Sequence, residues 1–509
     1  MHHQNKKPDF EQLKRGGAVK LKEKDMFSVW VRAICSNMNA KKLRAVADLA
    51  AEFGRGYILF TTRQFPIIPH IHIKDLEEVR GRLGAVELML DHCGNMVRSA
   101  DVCYGPNICP HALQDPISLG EKIDQYWRND PGGHKIKISI SGCRRQCTSP
   151  RVLSDLGFIG TERGYEAYIG GRLGLNPFVG IKVAENLSED ASVKLIDNFL
   201  VLIRSFGKEG ERSADLVKRL GEEKIISEVN KNIGGLVRVE PFACDTKLGN
   251  KTDKIILRIR ATSGEVTSPQ VQKIADISEK YGLGFVHFTL RGSPELPGIE
   301  MSDLPKIRCE LAEVGLAILD NGTDNLQSCF GGYCTNGIVD SQGLLKKIEA
   351  LINKLGINDL NIKVSAAGCP NSCAISTISD IGFWGVIEPN VDKERCNGCG
   401  ICARACKAKA IEIKDKRSLI DLKQCKGCMD CINACPFGSI VGGKRGFAIV
   451  VGGLSGEETR LGKVIAEFVS EEKTLQITER ILKLMQKKNK NAAGVLDEIG
   501  LDRFKEAVL

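Results

Sequence analysis

Two stretches of this chain repeat one another. "ADLAAEFGRGYILFTTRQ" at 47–64 matches "ADISEKYGLGFVHFTLRG" at 275–292, at a shift of about 228 residues. A repeat of this kind restricts the fold to two copies of one unit, each burying a core of its own. Strand-like alternation precedes both segments, "FSVWVRAI" (27–34) and "IILRIRAT" (255–262). Leu43, Val46, Leu49, Ala50 and Phe53 in one, and Val271, Ile274 and Ile277 in the other, recur at helical spacing. Ser268 followed by Pro269 is a start signal for the second helix. Further strands are expected at 57–61 and 285–289.

A second phrase is repeated: "ISGCRRQCTSP" (140–150) and "AAGCPNSCAIS" (366–376), shifted by about 226. "DLGFIG" (155–160) then matches "DIGFWG" (380–385), but "GYEAYIGGRLG" (164–174) matches "GFAIVVGGLSG" (446–456) only after the shift grows to about 282. About 56 residues are therefore inserted in the second copy, between about 386 and 441. Helix-like tails at 188–220 and 457–487 are expected to close the copies. The expected organisation is α+β, with segments 20–85 and 86–235 answered by 250–315 and 316–385 plus 442–509, and the insert at 386–441.

Twenty cysteines in 509 residues need a use. The N-terminus, "MHHQNKKPDF", lacks the apolar core of a signal peptide, and no apolar run approaches the ~20 residues of a membrane span. The reading is a cytoplasmic protein without membrane association, in which tightly spaced cysteines bind metal rather than form disulfides. The formal charge of +9 is spread along the chain without a nucleic-acid motif, which argues against a nucleic-acid partner.

The insert holds Cys396, Cys399, Cys402 and Cys406, then Cys425, Cys428, Cys431 and Cys435: C-x2-C-x2-C-x3-C, twice. In bacterial-type iron–sulfur runs the fourth cysteine ligates the other cluster. Cys396, Cys399, Cys402 and Cys435 are expected to hold one [4Fe-4S] cluster, and Cys425, Cys428, Cys431 and Cys406 the second. Zinc is the alternative guest, though zinc sites seldom interleave eight cysteines in fours. Pro436 follows the last cysteine, whereas Lys407 stands where the first run would carry its proline. The insert resembles a two-cluster ferredoxin, which passes single electrons. Outside it, Cys103 and Cys109 precede Cys143 and Cys147, and Cys329 and Cys334 precede Cys369 and Cys373. Each set supplies four thiolates, so four [4Fe-4S] clusters per chain are expected.

With C-x5-C and C-x3-C, "GCPNSC", "TTRQ" and the duplication, residues 20–509 resemble the sirohaem-containing sulfite and nitrite reductases. The likeness is greater to the dissimilatory and anaerobic sulfite reductases, which carry an inserted ferredoxin module. The resemblance implies an internally duplicated sulfite-reductase-like fold and a sirohaem lying between the halves. It implies that the last cysteine of each phrase, Cys373 or Cys147, bridges cluster and haem iron. It also implies that Arg63, Arg98, Lys135 and Lys137 bind the substrate oxyanion, a task suited to guanidinium and ammonium groups. Lys135 and Lys137 alternate on an expected strand, facing one way. In the second half Arg291 answers Arg63 and Lys363 answers Lys137, with cofactor-binding roles. Asn361 stands opposite Lys135 and Asp324 opposite Arg98, so one competent site is expected, joining first-half cations to the second-half cluster. The first-half cluster is left either with a structural tetrapyrrole or alone.

The implied activity is six-electron reduction of sulfite to sulfide, with nitrite to ammonia as the alternative. The external electron donor would be a ferredoxin or a flavoprotein. An electron carrier that has lost sirohaem is the alternative of another class, and homo-oligomerisation stays open. His70 and His72 are candidates for a porphyrin carboxylate or for packing. Cys35, Cys93, Cys244 and Cys309 read as buried thiols without a motif.

Overall fold

The computed structural model describes residues 9–233, 254–319, 325–357 and 361–509. Both repeat helices form, at Ala40–Phe53 and Ser268–Tyr281, with the apolar spacing turned inward on Leu43, Val46, Val271 and Ile274. Asn39 caps the first by accepting from the Lys42 N–H at 2.8 Å. The second is capped one residue ahead of the Ser268–Pro269 signal, where Gln270 Oε1 accepts from the Thr267 N–H at 2.9 Å.

The chain divides into two units. The first comprises 1–172, 177–320 and 455–459, and the second 173–176, 321–454 and 460–509.

Within the first unit, the repeat motifs exchange strands. Glu265–Thr267 pairs antiparallel with Tyr57–Phe60 and closes a five-stranded sheet built otherwise from the first copy. Reciprocally, Asn37–Asn39 pairs with Phe285–Phe288 of the second copy's four-stranded sheet. Phe60 and Phe288 meet with ring centroids 5.2 Å apart. The helices are joined by Arg44 with Asp276 at 2.8 Å and by Gln272 with Asp48 at 2.6 Å. Gly264 (φ +71°) makes the close approach possible, because a Cβ there would run into the Phe60 carbonyl.

The remaining sheet of the first unit and the sheet of the second unit are topological copies. The first runs Asp101–Val102, Ile138–Ser141, Leu156–Thr161, Gly164–Ile169 and Ile181–Leu187, two parallel pairings followed by two antiparallel ones. The second runs Asn325–Ser328, Lys363–Ala367, Ile381–Val391, Ile440–Val451 and Lys463–Val469 with the same pattern. Phe158 and Phe383, both fully buried, occupy matching places in the two cores. Burial of each such ring contributes about 1.5–3 kcal/mol.

The expected helical tail at 457–487 is corrected: Lys463–Val469 is a strand and the helix is Glu471–Lys488. Its counterpart is the strand Ile181–Leu187 before the helix Glu189–Phe206. Four of the seven positions of Lys463–Val469 are exposed, on both sides of the strand, and two of those are the apolar Val464 and Phe468, which masks its period in the sequence. The tight turn between Thr161 and Gly164 in one copy is replaced in the other by an excursion. Strands Ile381–Val391 and Ile440–Val451 run on as a ribbon, paired from Ile381↔Val451 to Val391↔Ile440, and carry residues 392–439 at its tip. This ribbon extends beyond the insertion points at 386 and 441, so the insert and its host share backbone pairing.

Candidate active site

Each cysteine phrase leaves the carboxyl end of a buried parallel strand, where open α/β sheets place ligands. The backbone after it turns identically in both copies. Gln146 (φ 51°) and Ser149 (φ 49°) are left-handed in one, Ser372 (φ 49°) and Ile375 (φ 59°) in the other. The Gly142 N–H donates to Cys103 Sγ at 3.1 Å, and the Gly368 N–H to Cys329 Sγ at 3.1 Å. The difference between C-x5-C and C-x4-C does not disturb the loops. Cys109 N–H donates to the Gly105 carbonyl at 2.9 Å and Cys334 N–H to that of Phe330 at 3.0 Å, so the extra residue is absorbed before a common turn.

Cys103 is brought together with Cys147, Cys109 and Cys143. Burial pushes its thiol well up, and these neighbours push it further. Cys329 is pushed up to about 12 by burial and then by Cys373 and Cys334. Cys369 joins the same group and is likewise raised. Within each set the last cysteine, Cys147 or Cys373, is the exposed one.

In the excursion, Cys406, Cys425, Cys428 and Cys431 line one cavity. Three of the other four lie against two buried hydroxyls. Cys402 Sγ lies 3.1 Å and Cys396 Sγ 3.6 Å from Ser418 Oγ, and Cys435 Sγ lies 3.1 Å from Ser439 Oγ. Burial raises Cys435, but hydrogen bonds from Ser439 and neighbouring backbone N–H groups outweigh it and bring the thiol down to about 7. Cys399 is exposed. Among the described residues, no three His, Cys, Asp or Glu side chains are arranged round a single ion. Four thiols per set, with N–H donors aimed at sulfur, fit iron–sulfur clusters. Cys369 packs with Ile338 and Ile387 against Met429 and Ile432, which alternate with Cys428 and Cys431 along the excursion.

The cations come together in the first unit. Lys137 is pulled down to about 8, first by desolvation and then by Arg63, Arg98 and Arg212, with Asp101 opposing. Arg63 is 7% and Arg98 4% exposed, and the Nε of each is buried without a hydrogen-bond partner. These orphaned donors fit an anionic guest, whether a sirohaem carboxylate or an oxyanion. Arg63 is not open on all sides, since Asp101 holds its Nη1 at 3.1 Å and Asp91 stands 3.6 Å from its Nη2. Asp91 also pairs with Arg32 at 3.0 Å, so Arg63 is anchored by a buried chain of charges. The expected strand through Lys135 and Lys137 is corrected. It begins at Ile138, and Lys137 is fixed instead by its N–H, which donates to Asp155 Oδ2 at 3.0 Å. Lys135 is half-buried. Asp155 is locked in turn by Arg212 at 2.8 Å and by Ser213 at 2.7 Å. Burial would raise its pKa, but these partners hold it below the usual value.

The first-half cysteines share a cavity with Arg258, His287, Arg291 and Glu295. Arg291 is pulled down by burial and by Arg258, against the pull of Glu295 and the Cys147 sulfur. Here the sequence pattern leaves one buried pair unflagged. Leu59↔Ile67 in the first copy occupies the register of His287↔Glu295 in the second. An apolar cross-strand pair is thus replaced by a buried imidazole, lowered by burial to about 4, beside a carboxylate paired with Arg258. The 228-residue shift, applied residue by residue, would have exposed it. Asp324 lies outside the described residues. Asn361 is exposed, and the Lys363 N–H donates to Asp380 Oδ2 at 2.9 Å as its counterpart does to Asp155.

Of the remaining candidates, His70 is buried beside Glu23 at 3.5 Å. His72 Nδ1 accepts from the Lys74 N–H at 3.2 Å. Cys35 and Cys93 are buried, Cys309 is exposed rather than buried, and Cys244 lies outside the described residues. Among the described residues no helix is long and apolar enough to cross a membrane.

Comparison with known proteins follows the two-copy geometry. The family "Nitrite and sulphite reductase 4Fe-4S domain" matches residues 93–235 and 320–509, and "Nitrite/Sulfite reductase ferredoxin-like half domain" matches 19–86 and 249–314. The chain is 30% identical over 381 residues to coenzyme F420-dependent sulfite reductase of Methanocaldococcus jannaschii, covering 72% of this chain and 58% of that protein. It is 28% identical over 182 residues to a subunit of the anaerobic sulfite reductase of Salmonella typhimurium, covering 32% of this chain and 53% of that one. The match thus spans little more than half the length of these relatives. The Mycobacterium tuberculosis NirA protein shares the fold, with a TM-score of 0.76 at 19% identity, covering 98% of this chain and 92% of that chain. With both copies matched in both of their parts, the chain belongs to the nitrite and sulphite reductase family, oxidoreductases that bind [4Fe-4S] clusters and sirohaem.

Proposed function

We propose that this chain is a sirohaem-dependent sulfite reductase whose insert is a two-cluster electron relay. Carrying the reading is the cation group of buried Arg63 and Arg98 with half-buried Lys137, with two orphaned guanidinium N–H donors, in a family of oxyanion reductases. Relatives named as sulfite reductases favour sulfite over nitrite. The sixteen cysteines of the four sets would hold four [4Fe-4S] clusters, with Cys373 as the bridging thiolate to the haem of the competent site. When bound, the clusters supply single electrons and sirohaem supplies an iron on which the sulfur oxyanion is reduced.

The chain's own residues do the rest. Arg98 and Lys137 bind and orient the oxyanion, and Lys135 adds positive charge at the same end of the strand. Arg63, anchored by Asp101 and Asp91, presents its Nε. The Lys137 ammonium, with its lowered pKa, is placed to give a proton to a departing oxygen and to take one back from water. Low exposure keeps these contacts strong. Arg291 and Lys363 hold cofactor carboxylates in this reading, and Glu295 makes the first-half site poor for an oxyanion.

Steady-state rates with sulfite and nitrite on anaerobically reconstituted protein test this, alongside the visible spectrum. The expected result is a sirohaem band and a higher kcat/KM for sulfite. A preference for nitrite would reassign the substrate, and cluster absorption without a haem band would leave an electron carrier.

A further inference from the structure

The two thiol sets of the insert face different surroundings. Cys406, Cys425, Cys428 and Cys431 are adjacent to the packed group of Cys369, Ile387, Met429 and Ile432. The other set opens outward, for Cys399 is exposed and Phe437, two residues past Cys435, is 49% exposed. Residues 392–439 carry ten Lys and Arg against six Asp and Glu, and all ten cations are exposed. Two of them border the outward set. A Cβ at Gly400, next to Cys399, would lie 3.6 Å from Arg404 Nη1, and one at Gly398 would touch the Lys416 backbone. Arg404 and Lys416 make no ion pair among the described residues. An exposed thiol bordered by uncompensated cations, in a set whose Cys435 is followed two residues on by an exposed aromatic, offers a surface for an anionic partner.

We infer that the face around Cys399, Arg404, Lys416 and Phe437 docks a small acidic one-electron carrier protein. This rests on the proposed relay and adds its entry point. In each encounter the reduced carrier loses one electron, and the oxidised cluster held by Cys396, Cys399, Cys402 and Cys435 gains it; no bond is made or broken. Six encounters supply one sulfite. Charge steers the approach, and Phe437 supplies an apolar contact.

The test uses the full chain loaded with clusters, and an acidic bacterial 2[4Fe-4S] ferredoxin as probe. Cluster bleaching is followed by stopped flow and affinity by titration calorimetry, both across ionic strength. The double variant Arg404→Glu/Lys416→Glu should lose about tenfold in second-order rate and in affinity at low salt, and its salt dependence should flatten. Reduction by the small cation methyl viologen should not slow. Lys483→Glu, a charge reversal on the exposed face of the helix Glu471–Lys488, should match wild type throughout. Wild-type rates in the double variant, or equal losses in Lys483→Glu, would overturn the inference. So would a wild-type dimer that the double variant dissociates, which would make the face a contact between copies. Iron analysis separates these outcomes from failure of the relay itself, since an insert without iron rejects the relay before any docking is measured.

Discussion

At the scale of residues, the proposed turnover depends on which cations meet the oxyanion. Arg98→Ala and Lys137→Ala each remove a charge-assisted contact from a desolvated site. The expected cost is about 3 kcal/mol of transition-state stabilisation, read as kcat/KM with unchanged sirohaem content. Arg291→Ala and Lys363→Ala should cost far less, because Glu295 already sits in the pocket of Arg291. Comparable losses in both pairs would mean that both sites turn over. Lys137 also sets a pH dependence. Its folded pKa of about 8 lies below the ordinary 10.5, so between those values the folded chain holds this proton less well than the unfolded chain. Stability therefore gains with rising pH across that window, while oxyanion binding, which needs the ammonium, declines. The alkaline limb of kcat/KM should fall near pH 8, and Lys137→Arg should move it upward; an unmoved limb would assign it to another group.

At the scale of elements, the insert and its ribbon behave as an addition to a complete sheet. The first copy shows that the hairpin closes without it, through the turn Glu162–Arg163 between paired Thr161 and Gly164. Replacing residues 392–439 by that two-residue turn should leave the second unit's fold intact by circular dichroism. Cluster iron should drop from about sixteen to about eight per chain. Loss of cooperative unfolding would show that the excursion is part of the core. Much of this organisation was legible in the sequence, because a duplicated hydrophobic pattern and paired cysteine phrases survive divergence. Other features were not. Lys463–Val469, an edge strand with half its positions in solvent, lacks a clean period. The exchange of Asn37–Asn39 and Glu265–Thr267 depends on pairing between residues more than 200 apart, which no local pattern encodes. The anchoring of Arg63 by Asp91 and Asp101 was invisible for the same reason, as was the substitution of His287 and Glu295 for an apolar pair.

At the scale of the whole molecule, the claim is that electrons enter at the insert and leave as sulfide. Cys428→Ser should damage the inner cluster of the insert and leave sirohaem loaded. Activity with a protein donor should then fall at least tenfold further than activity with methyl viologen, a small donor able to reach inner clusters; equal loss with both would make the insert structural. The most direct test counts products against electrons. Anaerobic protein with its full complement of clusters and sirohaem is given limiting reductant and excess sulfite, and sulfide is measured. One sulfide is expected for every six electrons consumed, with little sulfur lost to partly reduced products. Loaded protein that consumes electrons without forming sulfide, while converting nitrite to ammonia or nothing at all, would contradict the claim.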